Sequence, residues 1–230
     1  MTMKTVVIIV AGGSGTRFGA QVPKQFLDLQ GKPILMHTIE AFGENRDGSF
    51  DVILTLPADQ MGLWQDLCHE HGFDVPHRVV PGGQTRWHSV KNALDSIIDP
   101  ADVGIIAVHD GVRPLASKVL IARVLESARR DGAAIPVVML NDSVRQVDAE
   151  GGNHSLNRSS LRAVQTPQAF DARLLLEAYA QPYDPLFTDD ASVVERMSHG
   201  VALVDGDPMN LKITRPMDLV LAEYLLTHDA

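Results

Sequence analysis

Apolar runs that recur along the chain, each followed by an amphipathic stretch, restrict its fold more than any other feature. The runs VVIIVA (residues 6–11) and VGIIAVHD (residues 103–110) are apolar at successive positions rather than at alternate ones. Strands of this kind are typical of a sheet that is covered on both faces. Their alternation with helical patterns predicts an α/β fold, with a mostly parallel sheet and right-handed crossovers.

The pattern places six strands and seven helices in alternation. The predicted strands are Val6–Ala11, Asp51–Leu56, Arg78–Val80, Val103–His109, Ala133–Val138 and Val201–Asp205. The predicted helices are Ile34–Phe42, Gln60–His71, Arg86–Ile97, Lys118–Asp131, Ala172–Tyr179, Asp189–Ser198 and Met217–Leu226.

One segment, residues 142–165, departs from this alternation. Two short stretches of alternating residues flank a Gly/Asn turn at residues 151–153, which is the pattern of a β-hairpin. No repeat or low-complexity linker divides the sequence. We therefore expect a single domain over residues 1–230, from which a β-arm at about 142–165 protrudes.

Charge and cysteine content exclude several classes of protein. The 230 residues carry a formal net charge of −9, which argues against a nucleic-acid-binding protein or one that binds acidic membranes. Cys68 is the only cysteine, so no intrachain disulfide forms and a reducing compartment is expected. The apolar run near the N-terminus is too short to span a bilayer, and no signal-peptide cleavage region follows it. These features predict a cytoplasmic protein.

Ligands of open α/β sheets bind beyond the carboxyl ends of the strands. Four segments that follow predicted strands, or lie late in the chain, contain Gly, Arg, Lys or Asp: residues 12–24, 81–86, 109–114 and 210–216. An acidic protein that collects its cations at one rim of the sheet has a site suited to a polyanion with a metal ion.

The first of these segments, GGSGTRFGAQVPK (residues 12–24), is rich in glycine. It matches neither the P-loop, nor the dinucleotide-binding G-x-G-x-x-G motif, nor the G-x-S-x-G turn of hydrolases. Two interpretations remain open. Backbone N–H groups and the cations Arg17 and Lys24 bind phosphate, or the segment is an ordinary turn between a strand and a helix.

Asp110 closes a buried strand and is followed closely by Arg113. A single carboxylate suffices for Mg²⁺ that is also held by substrate phosphates, and a guanidinium is a bidentate phosphate ligand. Alternatively, Asp110 binds turn amides and Arg113 faces solvent. We expect His109 to be a packed strand residue, and no histidine spacing in the sequence predicts a zinc site.

No Ser/His/Asp or Cys/His pattern supplies a nucleophile. Transfer of a nucleotide to a phosphate needs neither a protein nucleophile nor a base, since the attacking phosphate is already an anion. Positioning, Mg²⁺ and cationic side chains provide the catalysis. Arg17, Lys24, Arg158 and Lys212 together with Asp110 meet that requirement.

Seven segments, in order and across nearly the whole chain, resemble the 2-C-methyl-D-erythritol 4-phosphate cytidylyltransferase family. They are AGGSGTR (11–17), PKQ (23–25), the segment 82–90 with Gly82, Gly83, Arg86, Ser89 and Val90, VHDGVRP (108–114), TPQ (166–168), TDDAS (188–192) and NLKITRP (210–216). The resemblance implies a Rossmann-like nucleotidyltransferase with helices on both faces of the sheet. It also implies a homodimer in which the arm reaches the neighbouring active site.

The resemblance further implies a role for each matching residue. Arg17, Lys24, Arg158 and Lys212 would be catalytic, and Lys212 would also neutralise charge at the attacked α-phosphorus. CTP would be bound by Ala11, Gly12, Gly13, Gly15, Gly83, Ser89 and Asp110, and Asp110 would hold Mg²⁺, with other divalent ions as alternatives. The polyol phosphate would be bound by Arg113, Ser143, Thr166, Thr188 and Lys212, together with Arg158 of the partner's arm.

Three positions depart from the family pattern. Met209 stands where many members have aspartate, so a second carboxylate ligand is missing there. Ser143 replaces the commoner threonine, and LNRSS (residues 156–160) replaces an Asp-Arg form around Arg158.

Other activities fit the same residues. A ribitol 5-phosphate cytidylyltransferase would have a similar glycine loop and PKQFLDL segment, although FTDDASVVE (residues 187–195) favours methylerythritol phosphate. A sugar-1-phosphate nucleotidyltransferase would have a longer loop with more arginine. A non-catalytic nucleotide-binding module is disfavoured because Arg17, Lys24, Asp110 and Lys212 occur together.

Overall fold

The computed structural model describes residues 3–13, 22–43 and 50–228. The strands are β1 (Lys4–Val10), β2 (Asp28–Leu29), β3 (Lys32–Pro33), β4 (Phe50–Leu56), β5 (Arg78–Pro81), β6 (Val103–Asp110), β7 (Ala133–Met139), β8 (Val144–Val147), β9 (Asn153–Leu156), β10 (Arg162–Val164), β11 (Gln168–Asp171) and β12 (Ala202–Asp205). The helices are α1 (Ile34–Gly43), α2 (Met61–Glu70), α3 (Arg86–Asp95), α4 (Lys118–Asp131), α5 (Ala172–Ala178), α6 (Asp190–Glu195) and α7 (Pro216–His228).

An eight-stranded sheet forms the centre of the molecule. β1 lies between β4 and β6 and is parallel to both, and β5 continues the sheet beyond β4. On the other side, β11 is antiparallel to both β6 and β7, β10 is antiparallel to β7, and β12 pairs in parallel with β7. The mostly parallel α/β sheet expected from the sequence is confirmed, with two antiparallel strands added.

Helices cover both faces of this sheet because successive residues of the apolar strands point to opposite sides. Val7 and Ile9 of β1 belong to one buried cluster, which contains residues of α1, α2 and α4. Val6 and Ile8 belong to a second cluster, which contains residues of α3, α5 and α6. Two cores with β1 between them account for the lack of polar alternation in its sequence.

Two features of the sheet differ from the sequence interpretation. The short strand β11 was not predicted, because its four residues are too few to show a period and are buried or half-buried throughout. Residues 162–164, assigned to the arm, form β10 in the main sheet. The separate two-stranded arm therefore comprises β8 and β9, and the prediction that it extends to residue 165 was too long.

Helix boundaries agree with the predictions to within two residues, except at the end of α6. This helix ends at Glu195 and not at Ser198, and Ser198 has a positive φ of 60°. Within the described part of the chain, no helix combines the length and the apolar character needed to cross a membrane.

Candidate active site

A cavity of about 250 Å³ lies at the carboxyl ends of the parallel strands. The residues that line it come from several segments that are distant in sequence: Val10, Ala11, Gly12, Gly13, Lys24, Gln25, Gly83, Gln84, Thr85, Arg86, Ser89, Asp110, Val112 and Lys212. The sequence predicts that the glycine-rich segment, the segment before α3, the end of β6 and the late lysine meet here. Described residues from all four segments line the cavity.

The close approach of β1 and β6 aligns the start of the glycine-rich segment with the end of β6. Val10 is in register with Asp110, and the Gly111 amide donates to the Val10 carbonyl at 2.9 Å. A Cβ at position 111 would lie 2.8 Å from the Cβ of Ala11, which is closer than packed carbon atoms allow. Glycine at 111 thus lets the backbone of residues 11–13 lie beside the Asp110 carboxylate.

Asp110 is surrounded by three cationic side chains at the cavity. Its Oδ2 is 3.0 Å from Lys212 Nζ and 3.1 Å from Arg113 Nε, and its Oδ1 is 3.9 Å from Arg86 Nε. Burial alone would raise the pKa of this carboxyl group, but the three cations outweigh it and hold the pKa well below its ordinary value. Asp110 is therefore ionised throughout the neutral pH range.

Arg86, at the start of α3, is a further cation that lines the cavity, and no role was predicted for it from the sequence. Its Nη2 donates to Oδ2 of the fully buried Asp190 at 2.5 Å, and Asp190 Oδ1 accepts from the Tyr179 hydroxyl at 2.6 Å. Burial lowers the pKa of the guanidinium, but the carboxylates of Asp190 and Asp110 raise it by more. The net shift is upward, so Arg86 stays charged. The signal available in the sequence was its place at the end of segment 81–86, which follows a predicted strand.

Lys24 and Gln25 lie in a single 3-10 turn at the cavity wall. Lys24 Nζ donates to the Ile213 carbonyl at 3.4 Å, which links this turn to the segment that carries Lys212. Gln25 is buried, and its Nε2 donates to the Ala11 carbonyl at 3.0 Å and to Gln60 Oε1 at 2.7 Å. Gln25 is a second residue for which no role was predicted from the sequence, and it binds the Ala11 carbonyl just before the glycine-rich segment.

Gly83 and Ser89 form the opposite wall. The Gly83 amide donates to Ser89 Oγ at 3.0 Å, and this hydroxyl donates to the Thr85 carbonyl at 3.1 Å. Thr85 in turn caps α3 by accepting from the His88 amide. The predicted nucleotide-binding segment is thus held in shape by the first turn of α3.

Arg113 and Thr166, predicted as substrate ligands, lie behind Asp110 and are not among the residues that line the cavity. Besides Asp110, the Arg113 guanidinium binds the Asn210 carbonyl at 2.8 Å. Thr166 Oγ1 accepts from the Asp110 amide at 3.1 Å. In this structure both residues fix the position of Asp110, and their contact with substrate stays a prediction.

Three other predicted residues lie on exposed segments. Ser143 precedes β8, Arg158 follows β9 with its guanidinium on the Asn141 carbonyl, and the Thr188 amide donates to Ser192 Oγ at 3.1 Å ahead of α6. None of the three lines the cavity of this one chain. Gly15 and Arg17 lie outside the described residues.

His109 is a packed strand residue, as expected, and not a ligand. Its Nε2 donates to the Arg113 carbonyl at 3.1 Å, and its Nδ1 accepts from Thr166 Oγ1 at 3.0 Å. Burial lowers its pKa to about 4, so the imidazole is neutral. Burial also raises the pKa of Cys68 to about 11, which agrees with the absence of a nucleophile pattern around that residue.

Asp110 also suits a divalent cation that takes most of its ligands from elsewhere. Among the described residues, no three His, Cys, Asp or Glu side chains converge on one point. Asp110 lines the cavity, and its Oδ1 is 3.9 Å from Arg86 Nε, which is beyond hydrogen-bond distance. A single carboxylate at the cavity fits Mg²⁺, which retains waters and binds substrate phosphates.

The sequence model of the 2-C-methyl-D-erythritol 4-phosphate cytidylyltransferase family matches residues 5–228. The chain belongs to this family. A cytidylyltransferase of that name from Bacteroides fragilis is 48% identical over 224 residues, covering 97% of this chain and 100% of the relative. A relative of the same name from Clostridium perfringens is 39% identical over 227 residues, covering 97% and 99%.

Solved structures agree with this assignment. The 2-C-methyl-D-erythritol 4-phosphate cytidylyltransferase of Thermus thermophilus has a TM-score of 0.72 and 33% identity, covering 96% of this chain and 98% of that one. The 4-diphosphocytidyl-2C-methyl-D-erythritol synthase of Anaerococcus prevotii has a TM-score of 0.81 and 27% identity, covering 99% and 97%. The resemblance inferred from seven segments therefore extends to the whole fold, and members of this cytidylyltransferase family are nucleotidyltransferases.

Proposed function

We propose that this chain transfers CMP from CTP to 2-C-methyl-D-erythritol 4-phosphate and releases pyrophosphate. The observation that carries the proposal is the cluster of Lys212, Arg86 and Arg113 around Asp110, at the cavity expected for the triphosphate. Membership of the cytidylyltransferase family supplies the identity of the substrates.

The proposed step forms one bond and breaks one bond. A phosphate oxygen of methylerythritol phosphate attacks the α-phosphorus of CTP, and the bond from that phosphorus to the bridging oxygen of the β-phosphate breaks. The attacking group is already an anion and pyrophosphate leaves as an anion, so no side chain has to transfer a proton. A reaction without proton transfer by the protein agrees with the neutral, buried imidazole of His109 and the raised pKa of the Cys68 thiol.

Cationic side chains carry the catalysis in this proposal. Lys24 and Arg17 bind the triphosphate, and Lys212 neutralises the charge that develops at the α-phosphoryl group. Lys212 suits this role because its side chain is 42% exposed while its Nζ is fixed 3.0 Å from Asp110. Preorganised charges at such positions stabilise a transition state more than they would in water.

The nucleoside would lie between the two walls of the cavity. The backbone of Ala11, Gly12 and Gly13 faces Gly83 and Ser89 across it. Backbone groups and one hydroxyl can distinguish a base by hydrogen bonding, as the resemblance implies for cytosine. Gly15 belongs to the same proposed CTP-binding set.

Asp110 would hold Mg²⁺, and other divalent ions are alternatives. When bound, the ion supplies positive charge to the phosphate oxygens of CTP. Met209 stands where many family members have aspartate, so the proposal assigns the ion a single protein carboxylate.

The polyol phosphate would be bound by Arg113, Ser143, Thr166 and Thr188, together with Arg158 from a second subunit. Support for the second subunit comes from the arm, β8–β9, which pairs with no other sheet of its own chain in the described residues. We accordingly propose a homodimer of single-domain subunits (residues 1–230), with CTP and a polyol phosphate as ligands and no nucleic acid as partner.

Two alternatives have distinct outcomes in one assay. Pyrophosphate release is measured with CTP and Mg²⁺, with methylerythritol 4-phosphate and ribitol 5-phosphate offered separately. Release with the first alone is the expected result, and release with ribitol phosphate alone would assign the chain to the alternative cytidylyltransferase. CTP binding without release from either would leave only a nucleotide-binding module.

A further inference from the structure

The segment that carries Lys212 is held by a side chain that the proposed mechanism does not use. Gln165 is buried, and its Nε2 donates to the Asp207 carbonyl at 2.8 Å and to the Asn210 carbonyl at 3.3 Å. Its Oε1 accepts from the Asp207 amide at 3.1 Å. One side-chain amide thus satisfies both backbone groups of Asp207, as a neighbouring strand would.

The surroundings are shaped for this contact. A Cβ at Gly206 would lie 2.6 Å from Gln165 Oε1 and 2.9 Å from the Val137 carbonyl, so glycine leaves the space that the amide occupies. Asn210 is fully buried, and its Nδ2 donates to the Thr166 carbonyl at 2.8 Å. Residues 206–210 are therefore tied at two points to residues 165–166.

Thr166, the residue after Gln165, holds Asp110, which forms an ion pair with Lys212. Thr166 Oγ1 accepts from the Asp110 amide, while Gln165 binds the segment that ends in Lys212. Gln165 thus holds the segment of Lys212, and Thr166 holds Asp110. These two consecutive residues fix both partners of the 3.0 Å contact between Lys212 Nζ and Asp110 Oδ2. A displaced segment 206–212 would carry the ammonium away from the carboxylate.

We propose that Gln165 is a positioning residue: its side-chain amide fixes segment 206–212 and thereby places the Lys212 ammonium beside Asp110. The catalytic consequence rests on the function proposed above, since Lys212 is the group that meets the α-phosphoryl. Gln165 itself touches neither substrate nor metal in this proposal.

The competing explanation is that Gln165 only satisfies buried backbone groups. Gln181 provides the matched control, because its Nε2 also donates to two backbone carbonyls, those of Ala178 at 2.9 Å and Val193 at 3.1 Å. Gln181 is not among the residues lining the cavity. The variants Gln165→Met and Gln181→Met remove equivalent contacts at similar side-chain volume.

Steady-state kinetics of the full-length chain give the first test. Gln165→Met should lower kcat by about 10- to 100-fold, the size of effect that a misplaced catalytic group produces. The KM for CTP should change by less than about threefold, since the change affects the transition state and not the binding of CTP in the ground state. Gln181→Met should leave kcat within about twofold of the wild-type value.

A double-variant cycle tests whether the effect passes through Lys212. Lys212→Ala alone should lower kcat by about 100-fold or more. If Gln165 acts by placing Lys212, adding Gln165→Met to Lys212→Ala should lower kcat by less than about threefold further. Multiplicative effects of the two changes would contradict the proposal.

Hydrogen exchange gives a readout that does not depend on activity. The Asp207 amide donates to Gln165 Oε1, so peptides covering residues 206–213 should exchange faster in Gln165→Met and unchanged in Gln181→Met. An inactive wild-type chain would contradict the proposed function, and the exchange result would still decide whether Gln165 holds segment 206–212. Unchanged exchange would overturn the proposal.

If Gln165→Met does not yield folded protein, Gln165→Asn takes its place, because it keeps the amide but shortens the reach. The same decrease in kcat and the same faster exchange are expected. Wild-type kcat together with wild-type exchange in Gln165→Asn would overturn the proposal.

Discussion

At the scale of single residues, Asp110 shows how one side chain depends on contacts from distant parts of the chain. Its carboxylate is ionised because Lys212, Arg86 and Arg113 together outweigh the effect of burial on its pKa. The same residue is the one carboxylate that the proposed mechanism gives to Mg²⁺. Its charge therefore has both a structural and a functional consequence.

Asp110→Asn should lower Mg²⁺-dependent pyrophosphate release by about 100-fold or more, since a preorganised charge at the phosphates is lost. The amide has nearly the shape of the carboxylate and can still accept from Arg113, so the fold should be retained. Turnover and circular dichroism are measured together. An unfolded variant would show that Asp110 is needed for stability, and full activity would remove it from the metal site.

Lys24→Ala should lower kcat by about several hundredfold, because one preorganised cation at the triphosphate is lost. Lys91→Ala is the matched control, since Lys91 pairs with Asp95 on the exposed side of α3 and is not among the cavity-lining residues. The control should keep wild-type kinetics. Unchanged turnover in Lys24→Ala would exclude this lysine from the mechanism.

His109 makes stability depend on pH. Its pKa of about 4 in the folded chain lies below the ordinary value of 6.5, so the unfolded chain binds the proton more tightly. Stability should therefore fall as the pH drops from 6.5 to 4, by about 3 kcal/mol at most from this group. Urea unfolding of wild type and His109→Gln between pH 4.5 and 7.5 measures the difference.

The variant should show a weaker pH dependence of the unfolding free energy. Asp110 does not affect this comparison. Because its pKa is lowered in the folded chain, its contribution to the pH dependence of stability falls below the measured pH range. His37, whose pKa burial also lowers, adds to the slope equally in both proteins. Equal slopes in wild type and variant would contradict the assignment to His109.

At the scale of elements, the sequence predicted strands and helices best where apolar runs were long. β6 and α4 were found within one residue of their predicted ends, because a buried strand and an amphipathic helix each carry a clear period. β11 was missed because four residues, buried between β6 and β7, show no period of their own. Its strand conformation depends on neighbours that are distant in sequence.

The arm allows a test of the proposed dimer. If Arg158 serves the partner's site, Arg158→Ala and Lys212→Ala subunits should each be nearly inactive alone. Their mixed dimers should regain activity, because one site then combines an intact Lys212 with an intact Arg158 from the partner. Random exchange of subunits should give about one quarter of wild-type activity. No recovery after demonstrated exchange would place Arg158 in its own subunit's site, and an active Arg158→Ala protein would place it outside the mechanism.

At the scale of the whole molecule, we expect the fold to be independent of the proposed metal site. Within the described ranges no cluster of three metal-binding side chains holds parts of the chain together. Chelation with EDTA should therefore abolish pyrophosphate release. The thermal unfolding midpoint should stay within about 2 °C of its value with Mg²⁺, a smaller shift than a change of about 1 kcal/mol in the unfolding free energy would cause. Restored Mg²⁺ should restore turnover. A large drop in the midpoint would indicate a structural metal.

The sequence by itself determined the class of sheet, the rim at which the cavity lies and three of the charged side chains that line it, Lys24, Asp110 and Lys212. These properties follow from local patterns: consecutive apolar residues mark strands buried on both faces, and the residues after such strands lie at one edge. Motifs at fixed offsets along the chain then indicated the family.

Only the tertiary structure decided which groups meet. Arg86 binds Asp190, 104 residues later in the chain, and Gln165 binds Asp207, 42 residues later. No local period encodes such contacts, because they depend on how the crossovers of the sheet bring separate segments together. The same physical reason explains why Arg113 and Thr166, predicted to face substrate, lie behind Asp110 and hold it in place.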